Sequence, residues 1–210
     1  WADGRVRLNA TIYHMVWEGI QLQASDPEIF TLGIVNFPEA ELNGLEAHLS
    51  FLPSDGWDIN VTLGWNEAEI SKDATLFPGS DAPTSVSAGT ELPIMPDLKG
   101  SLSLQYSFLN NEIWGARPFV RLDHTYNGEG TSSLEGIQSI IFTNPVRMLD
   151  PYNITDIRFG LEAEGWSASL FVDNISDERA EQFFNDRWAQ TRQSINRPLT
   201  VGVTYRKHFQ

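Results

Sequence analysis

Leu98-Lys99-Gly100-Ser101-Leu102-Ser103-Leu104-Gln105-Tyr106-Ser107-Phe108 alternates without a break. Leu98, Gly100, Leu102, Leu104, Tyr106 and Phe108 fall on one face, and Lys99, Ser101, Ser103, Gln105 and Ser107 on the other. A period of two is the signature of a strand with one apolar and one polar side. The same pattern recurs along the chain. Trp57, Ile59, Val61, Leu63 and Trp65 oppose Asp58, Asn60, Thr62, Gly64 and Asn66. Ile157, Phe159 and Leu161 oppose Asp156, Arg158 and Glu162. Trp166, Ala168, Leu170 and Val172 continue it, and Leu199, Val201, Val203, Tyr205 and Phe209 close the chain against Thr200, Gly202, Thr204, Arg206 and His208. Weaker versions lie at 5–17, 42–52 and 115–126. The expectation is about eight strands, each close to the 9–11 residues that a tilted strand needs to cross a bilayer.

The connections carry the next inference. Pro53-Ser54-Asp55-Gly56, Asn110-Asn111-Glu112 and Glu164-Gly165 have hairpin-turn chemistry. Between them lie long links at about 18–41, 71–96, 127–150 and 174–197. Short and long alternate along the whole chain. An up-and-down antiparallel sheet built this way carries all its short turns at one end, as a transmembrane β-barrel does with short periplasmic turns and long external loops. A soluble β-sandwich has Greek-key links and no reason for such one-sidedness, although two packed apolar faces remain an alternative reading. A complete, small eight-stranded membrane barrel is another. The polar faces mix Ser, Thr, Asn and Gly with charged residues, as a hydrated lumen would. The apolar faces often end in an aromatic (Trp57, Trp65, Tyr106, Phe108, Trp114, Tyr126, Tyr205, Phe209), which fits rings at both membrane interfaces or a plain strand preference for aromatics.

Composition removes several classes of function. Among 210 residues, 14 Lys and Arg face 28 Asp and Glu, a net charge of −14 that argues against nucleic acid as a partner. Cys is absent, so thiolate metal sites, thiol catalysis and disulfides are excluded together. No apolar run approaches the ~20 residues of a membrane-spanning helix. There is no Gly-x-Ser-x-Gly, no His-Glu-x-x-His and no phosphate-cradling glycine loop, so no catalytic residue, cofactor or metal is expected. His14, His48, His124 and His208 scatter over different strands, the first and third on the apolar side near strand ends. The sequons at Asn9, Asn60, Asn153 and Asn174 lie mostly in strands and read as coincidence. Trp1 stands where an initiator Met would, with no signal-peptide pattern behind it, which suggests a piece of a longer chain.

Binding chemistry concentrates in the long links. Residues 179–197 hold Arg179, Phe183, Phe184, Arg187, Trp188, Arg192 and Arg197. Cations interleaved with rings can stack on and pair with an anionic or aromatic ligand. Arg187, Trp188 and Arg192 are the first choices for ligand contact. The plainer reading is that these residues pack the loop on its neighbours and pair with Glu181 and Asp186. The 71–96 link, with Pro78-Gly79-Ser80-Asp81 and Leu92-Pro93-Ile94-Met95-Pro96, reads as a plain turn-rich loop.

Several stretches carry a resemblance. Asp156 to Glu162, Trp166 to Asn174 and Asp177-Glu178-Arg179 are similar to the closing strands of TonB-dependent outer-membrane receptors, and so is Asn196 to Phe209. Pro38 to Glu46 resembles the family's strand with a Gly-x-Glu step, and Trp57 to Ile70 and Leu92 to Tyr106 also fit. The chain departs from the pattern where Asn174-Ile175-Ser176-Asp177-Glu178-Arg179-Ala180 lacks the aromatic pair often placed around that step and where Gln210 follows Phe209. The resemblance implies a larger barrel of about 22 strands, of which residues 1–210 would be a C-terminal part without the plug domain. It implies location in the bacterial outer membrane, against lipid and the rest of the same receptor. It also implies coupling to TonB through a missing N-terminal part, and energy-dependent uptake of a scarce ligand such as a ferric siderophore.

Overall fold

The computed structural model describes residues 3–25, 32–77, 84–134, 147–185 and 192–209. Eight long strands form one antiparallel sheet in chain order. They are β1 (Val6–Ser25), β2 (Leu32–Phe51), β3 (Trp57–Ile70), β7 (Leu98–Ser107), β8 (Arg117–Asn127), β11 (Tyr152–Glu162), β12 (Trp166–Asp173) and β15 (Thr200–Lys207). Seven short strands sit in the links: β4 (Ala74–Leu76), β5 (Thr84–Val86), β6 (Thr90–Glu91), β9 (Gly130–Thr131), β10 (Met148–Leu149), β13 (Glu181–Asn185) and β14 (Arg192–Ile195). The long strands meander, each pairing with the next, as the alternating short and long links predict. Among the described residues β1 and β15 pair only with β2 and β12, so this sheet is not a closed eight-stranded barrel.

Register decides what the sheet is for. A one-residue slip in any pairing would throw that strand's apolar set onto the other face, and no such slip occurs. Val6, Phe51, Ile59, Leu104, Leu122, Ile157, Val172 and Val201 lie side by side in one row across all eight strands. The adjoining row on the opposite face reads Arg7, Ser50, Asn60, Ser103, Asp123 and Asp156. One face is therefore apolar from edge to edge, and the other is mainly hydrophilic, with Phe119 and Phe171 among its polar residues. The apolar face is uncovered: Leu170 is 59% and Val203 72% exposed. A sandwich would bury these side chains against a second sheet. The arrangement is that of a wall between lipid and water.

Aromatics bound the apolar band. At the end with the short turns, Trp57 and Tyr106 pack with ring centroids 5.0 Å apart, Tyr106 meets Phe108 edge-on at 4.9 Å, and Trp166 lies 6.4 Å from Tyr205. At the other end stand Trp65 and Tyr126. Eight residues separate Trp57 from Trp65, roughly 20 Å along the membrane normal for a strand tilted near 40°, close to the ~25 Å of such bands. Beyond Trp65 the same face turns acidic, with Glu67 beside Asn43, and Glu69 beside Glu41 and Glu91. The apolar strip ends there.

The short turns follow their sequences. Gly56 adopts φ +89, and Ser107 donates its backbone N–H to the Gly56 carbonyl at 2.8 Å. Two links depart from expectation. Residues 18–41 do not form a long loop: β1 continues to Ser25 and β2 begins at Leu32, so the hairpin projects far past the band. The alternation fades there because Gly19 sits at φ +65 opposite Pro38, which has no N–H for the ladder. At this break the strand changes face. Ile20 and Phe37 then pack with Ala40, Ile70, Ala74, Leu76, Val86, Leu92 and Leu134 in the principal core of the described residues. Nor is 71–96 a plain loop, since β4, β5 and β6 form within it and it gives four of those nine core side chains. The packed core thus lies at the end of the sheet that carries the long links, shared between them and the ends of β1, β2 and β3.

Candidate functional site

The long links all leave the same end of the sheet, and several joints among the described residues connect them. The first is the core just described, which packs the β1–β2 hairpin on β4 and β5 and takes in Leu134 from the β8–β11 link. The second is a backbone bond of 2.8 Å from Ile94 N–H to the Thr131 carbonyl. The third joins the β8–β11 link to β13. There the Arg147 Nη2 donates to Glu181, 2.6 Å from Oε1 and 2.5 Å from Oε2, and the guanidinium lies 4.1 Å from the Phe184 ring centroid.

The β13–β14 hairpin carries the ligand candidates and stands on an asparagine frame. Asn174, at φ +54, accepts the Glu178 N–H through Oδ1 and donates through Nδ2 to the carbonyls of Glu178 and Arg197, each at 2.9 Å. Asn196 mirrors it, accepting the Ala180 N–H at 2.9 Å and donating to the same two carbonyls. Both asparagines are buried, where carboxamides with satisfied donors and acceptors hold a loop base firmly. The Asn174 N–H donates to Asp156 Oδ1 at 2.7 Å, which ties the frame to β11. Asp177 accepts from the Leu199 N–H at 2.8 Å and from Arg179 at 2.9 Å. Hydrogen bonds from Arg179 and then from Leu199 hold the Asp177 carboxyl below its usual range. Nearer the core, Lys72 and Ser71 hydrogen-bond to Glu39 and lower its carboxyl in the same way.

Of the expected ligand residues, Arg192 is the first residue of β14 and is exposed. Arg187 and Trp188 lie outside the described residues, and so does Asp186. The expected pairing of this segment is corrected in part. Glu181 pairs with Arg147 from another link, Arg179 with Asp177, and Arg197 serves the frame through its carbonyl. Sequence reasoning passed over Asn174 as a chance sequon and did not single out Asn196 or Arg147. The available signal was an asparagine at each foot of the link, at Asp173-Asn174 and Ile195-Asn196.

On the hydrophilic face Arg121 forks onto Asp123 at 2.7 and 2.8 Å, and Thr62 meets Ser101 at 2.5 Å. His14 and His124 lie on the apolar face, bonded to Asn43 and Thr155 at 2.8 Å each. Among the described residues no three His, Asp or Glu gather as a metal-binding group.

Comparison with known proteins converges on one family. The family described as TonB dependent receptor-like, beta-barrel, matches residues 1–175. Among solved structures, the ferric yersiniabactin uptake receptor FyuA from Yersinia pestis superposes with a TM-score of 0.72 at 18% identity, covering 99% of this chain and 28% of that one. The siderophore receptor PiuA from Acinetobacter baumannii gives 0.70 at 17% identity, with 97% and 26% covered. The copper transporter OprC gives 0.67 at 13% identity, with 98% and 29% covered. At these identities the likeness is one of fold, and the chain spans about a quarter of the length of these structures.

Proposed function

This chain belongs to the TonB-dependent receptor β-barrel family, and on that premise we propose that it is a C-terminal stretch of barrel wall in a bacterial outer-membrane receptor that takes up a scarce ligand, a ferric siderophore. The family is one of receptors and transporters. The observation that carries the reading is the pair of neighbouring rows, apolar across eight strands on one face and polar on the other. Such a sheet separates lipid from water and does no chemistry of its own. In the complete receptor the hydrophilic face would look onto a plug domain, and an N-terminal segment would receive energy through TonB. Ligand contact falls to the outer links. Arg187, Trp188 and Arg192 supply charge and a ring, which suit an anionic chelate rich in aromatic groups. The siderophore cargoes of PiuA and FyuA favour iron. OprC, a copper transporter on the same fold, is the reason cargo needs its own test.

The test is uptake by cells expressing the complete receptor. Radioactive iron presented as a ferric tris-catecholate or a ferric tris-hydroxamate should enter saturably, and deletion of TonB should abolish entry. Uptake of copper with neither ferric chelate would overturn the cargo, and TonB-independent entry would overturn the transport mechanism.

A further inference from the structure

We propose that Arg147 is a positioning residue that fastens the β8–β11 link to the β13–β14 hairpin, so that two outer links present their ligand-facing side chains as one body. The inference rests on the functional reading only for what the hairpin presents; the fastening itself rests on geometry. In a regular strand, residues three apart point to opposite faces, and Glu181 and Phe184 are three apart. The pairing of β13 with β14 shifts by one residue between Glu181 and Phe183. A bulge of that kind adds one residue on one strand and re-aims the side chains after it. Glu181 and Phe184 consequently reach the same guanidinium, one as a carboxylate with both oxygens within 2.6 Å and one as a ring 4.1 Å away.

That seat suits arginine specifically. A planar guanidinium can place its N–H groups on a carboxylate while its face lies on a ring, and a lysine ammonium cannot do both. Arg147 is itself anchored within its own link: its carbonyl accepts the Ser132 N–H at 2.9 Å, and Met148 beside it pairs with Thr131. Through Thr131 and Leu134 the same link joins Ile94 and the principal core. The hairpin is thereby coupled to packed structure at its flank as well as to the asparagine frame at its base.

Amide hydrogen exchange on the complete receptor tests the fastening. In Arg147→Ala, exchange at 181–185 and 192–195 should rise about 10-fold, the scale of losing one charge-assisted contact of this kind, while β7 and β8 keep their protection. Arg147→Lys should fall between Ala and the parent, since it retains charge and loses the planar group that lies over Phe184. The exchanged pair Arg147→Glu with Glu181→Arg should restore part of the protection that either change alone removes, since the ion pair returns without the guanidinium over Phe184. With a ferric tris-catecholate as transport probe, Arg147→Ala should raise the half-saturating concentration and leave the maximal rate per surface receptor unchanged. Unaltered exchange in the hairpin, or full protection with Lys, would overturn the proposal. Loss of protection spread evenly through the wall strands would also overturn it, because Arg147 would then be a general stabiliser. A receptor with the predicted exchange pattern that takes up no ferric chelate supports the fastening and counts against the cargo alone.

Discussion

At Leu63 and Thr62 two adjacent residues meet different solvents. Leu63 lies on the exposed apolar face between Ala47 and Gly100, one step inside the Trp65 edge of the band, whereas Thr62 lies on the hydrophilic face and hydrogen-bonds to Ser101. An arginine on a lipid-facing strand costs about 2–4 kcal/mol at the midplane and less toward the interface, and one on the lumen side less still. In the complete receptor, Leu63→Arg should therefore lower the folded fraction reaching the outer membrane, measured by heat-modifiable electrophoresis, well below that of Thr62→Arg. Equal losses would indicate a sheet buried on both sides. Asp177 gives a second expectation at this scale, and its sign follows from its partners. Its carboxyl is held below the usual range by Arg179 and Leu199, so the charged form is the one the fold favours. What it adds to the loop base is complete above the ordinary carboxylate value of about 4 and is lost as pH falls through the depressed value. Asp177→Asn should raise hydrogen exchange at 174–180 near neutral pH relative to the parent at the same pH, and the difference should vanish in strong acid. A difference that grew on acidification would contradict the assignment.

Among the elements, the tight turn before β3 makes the sharpest demand on its sequence. Gly56 stands at φ +89, and a Cβ there would come within 2.6 Å of the Ser107 carbonyl oxygen. Backbone cannot retreat as a flexible side chain can, so Gly56→Ala should destabilise the β2–β3 hairpin by about 1–3 kcal/mol. Gly64→Ala, on β3 with open space around it, should change little. Urea unfolding of the two variants in detergent micelles would compare them, and equal midpoints would count against the turn geometry. This contrast between turn and strand also marks what the sequence could reveal. The eight wall strands are legible because one face meets lipid and the other water, so each strand writes the period of two directly into its residues. The turns are legible because Gly56 and Gly165 have few other uses. Past Gly19 and Pro38 the writing stops: the hairpin changes face, Ile20 and Phe37 are buried, and no simple alternation survives. The frame of Asn174 and Asn196 and the seat of Arg147 depend on hydrogen bonds between residues distant in sequence, such as Asn196 to Glu178, 18 apart, and Arg147 to Glu181, 34 apart. Pairings of that kind leave no periodic trace, and so Arg147 could not be separated from any other loop arginine.

On the proposed function the whole molecule has a direction: its sheet would be a membrane wall with the long links and packed core outside the cell and the short turns in the periplasm. The absence of native cysteine allows a direct test. Ser133 lies in the β8–β11 link, whereas Ser54 and Asn111 lie in the short turns at the opposite end. The decisive measurement is labelling of single cysteines at these three positions in the complete receptor, on intact cells, with a membrane-impermeant thiol reagent. Ser133→Cys should label on intact cells, and Ser54→Cys and Asn111→Cys only after the outer membrane is opened. Labelling of Ser54→Cys on intact cells, with Ser133→Cys protected until the membrane is opened, would contradict the account.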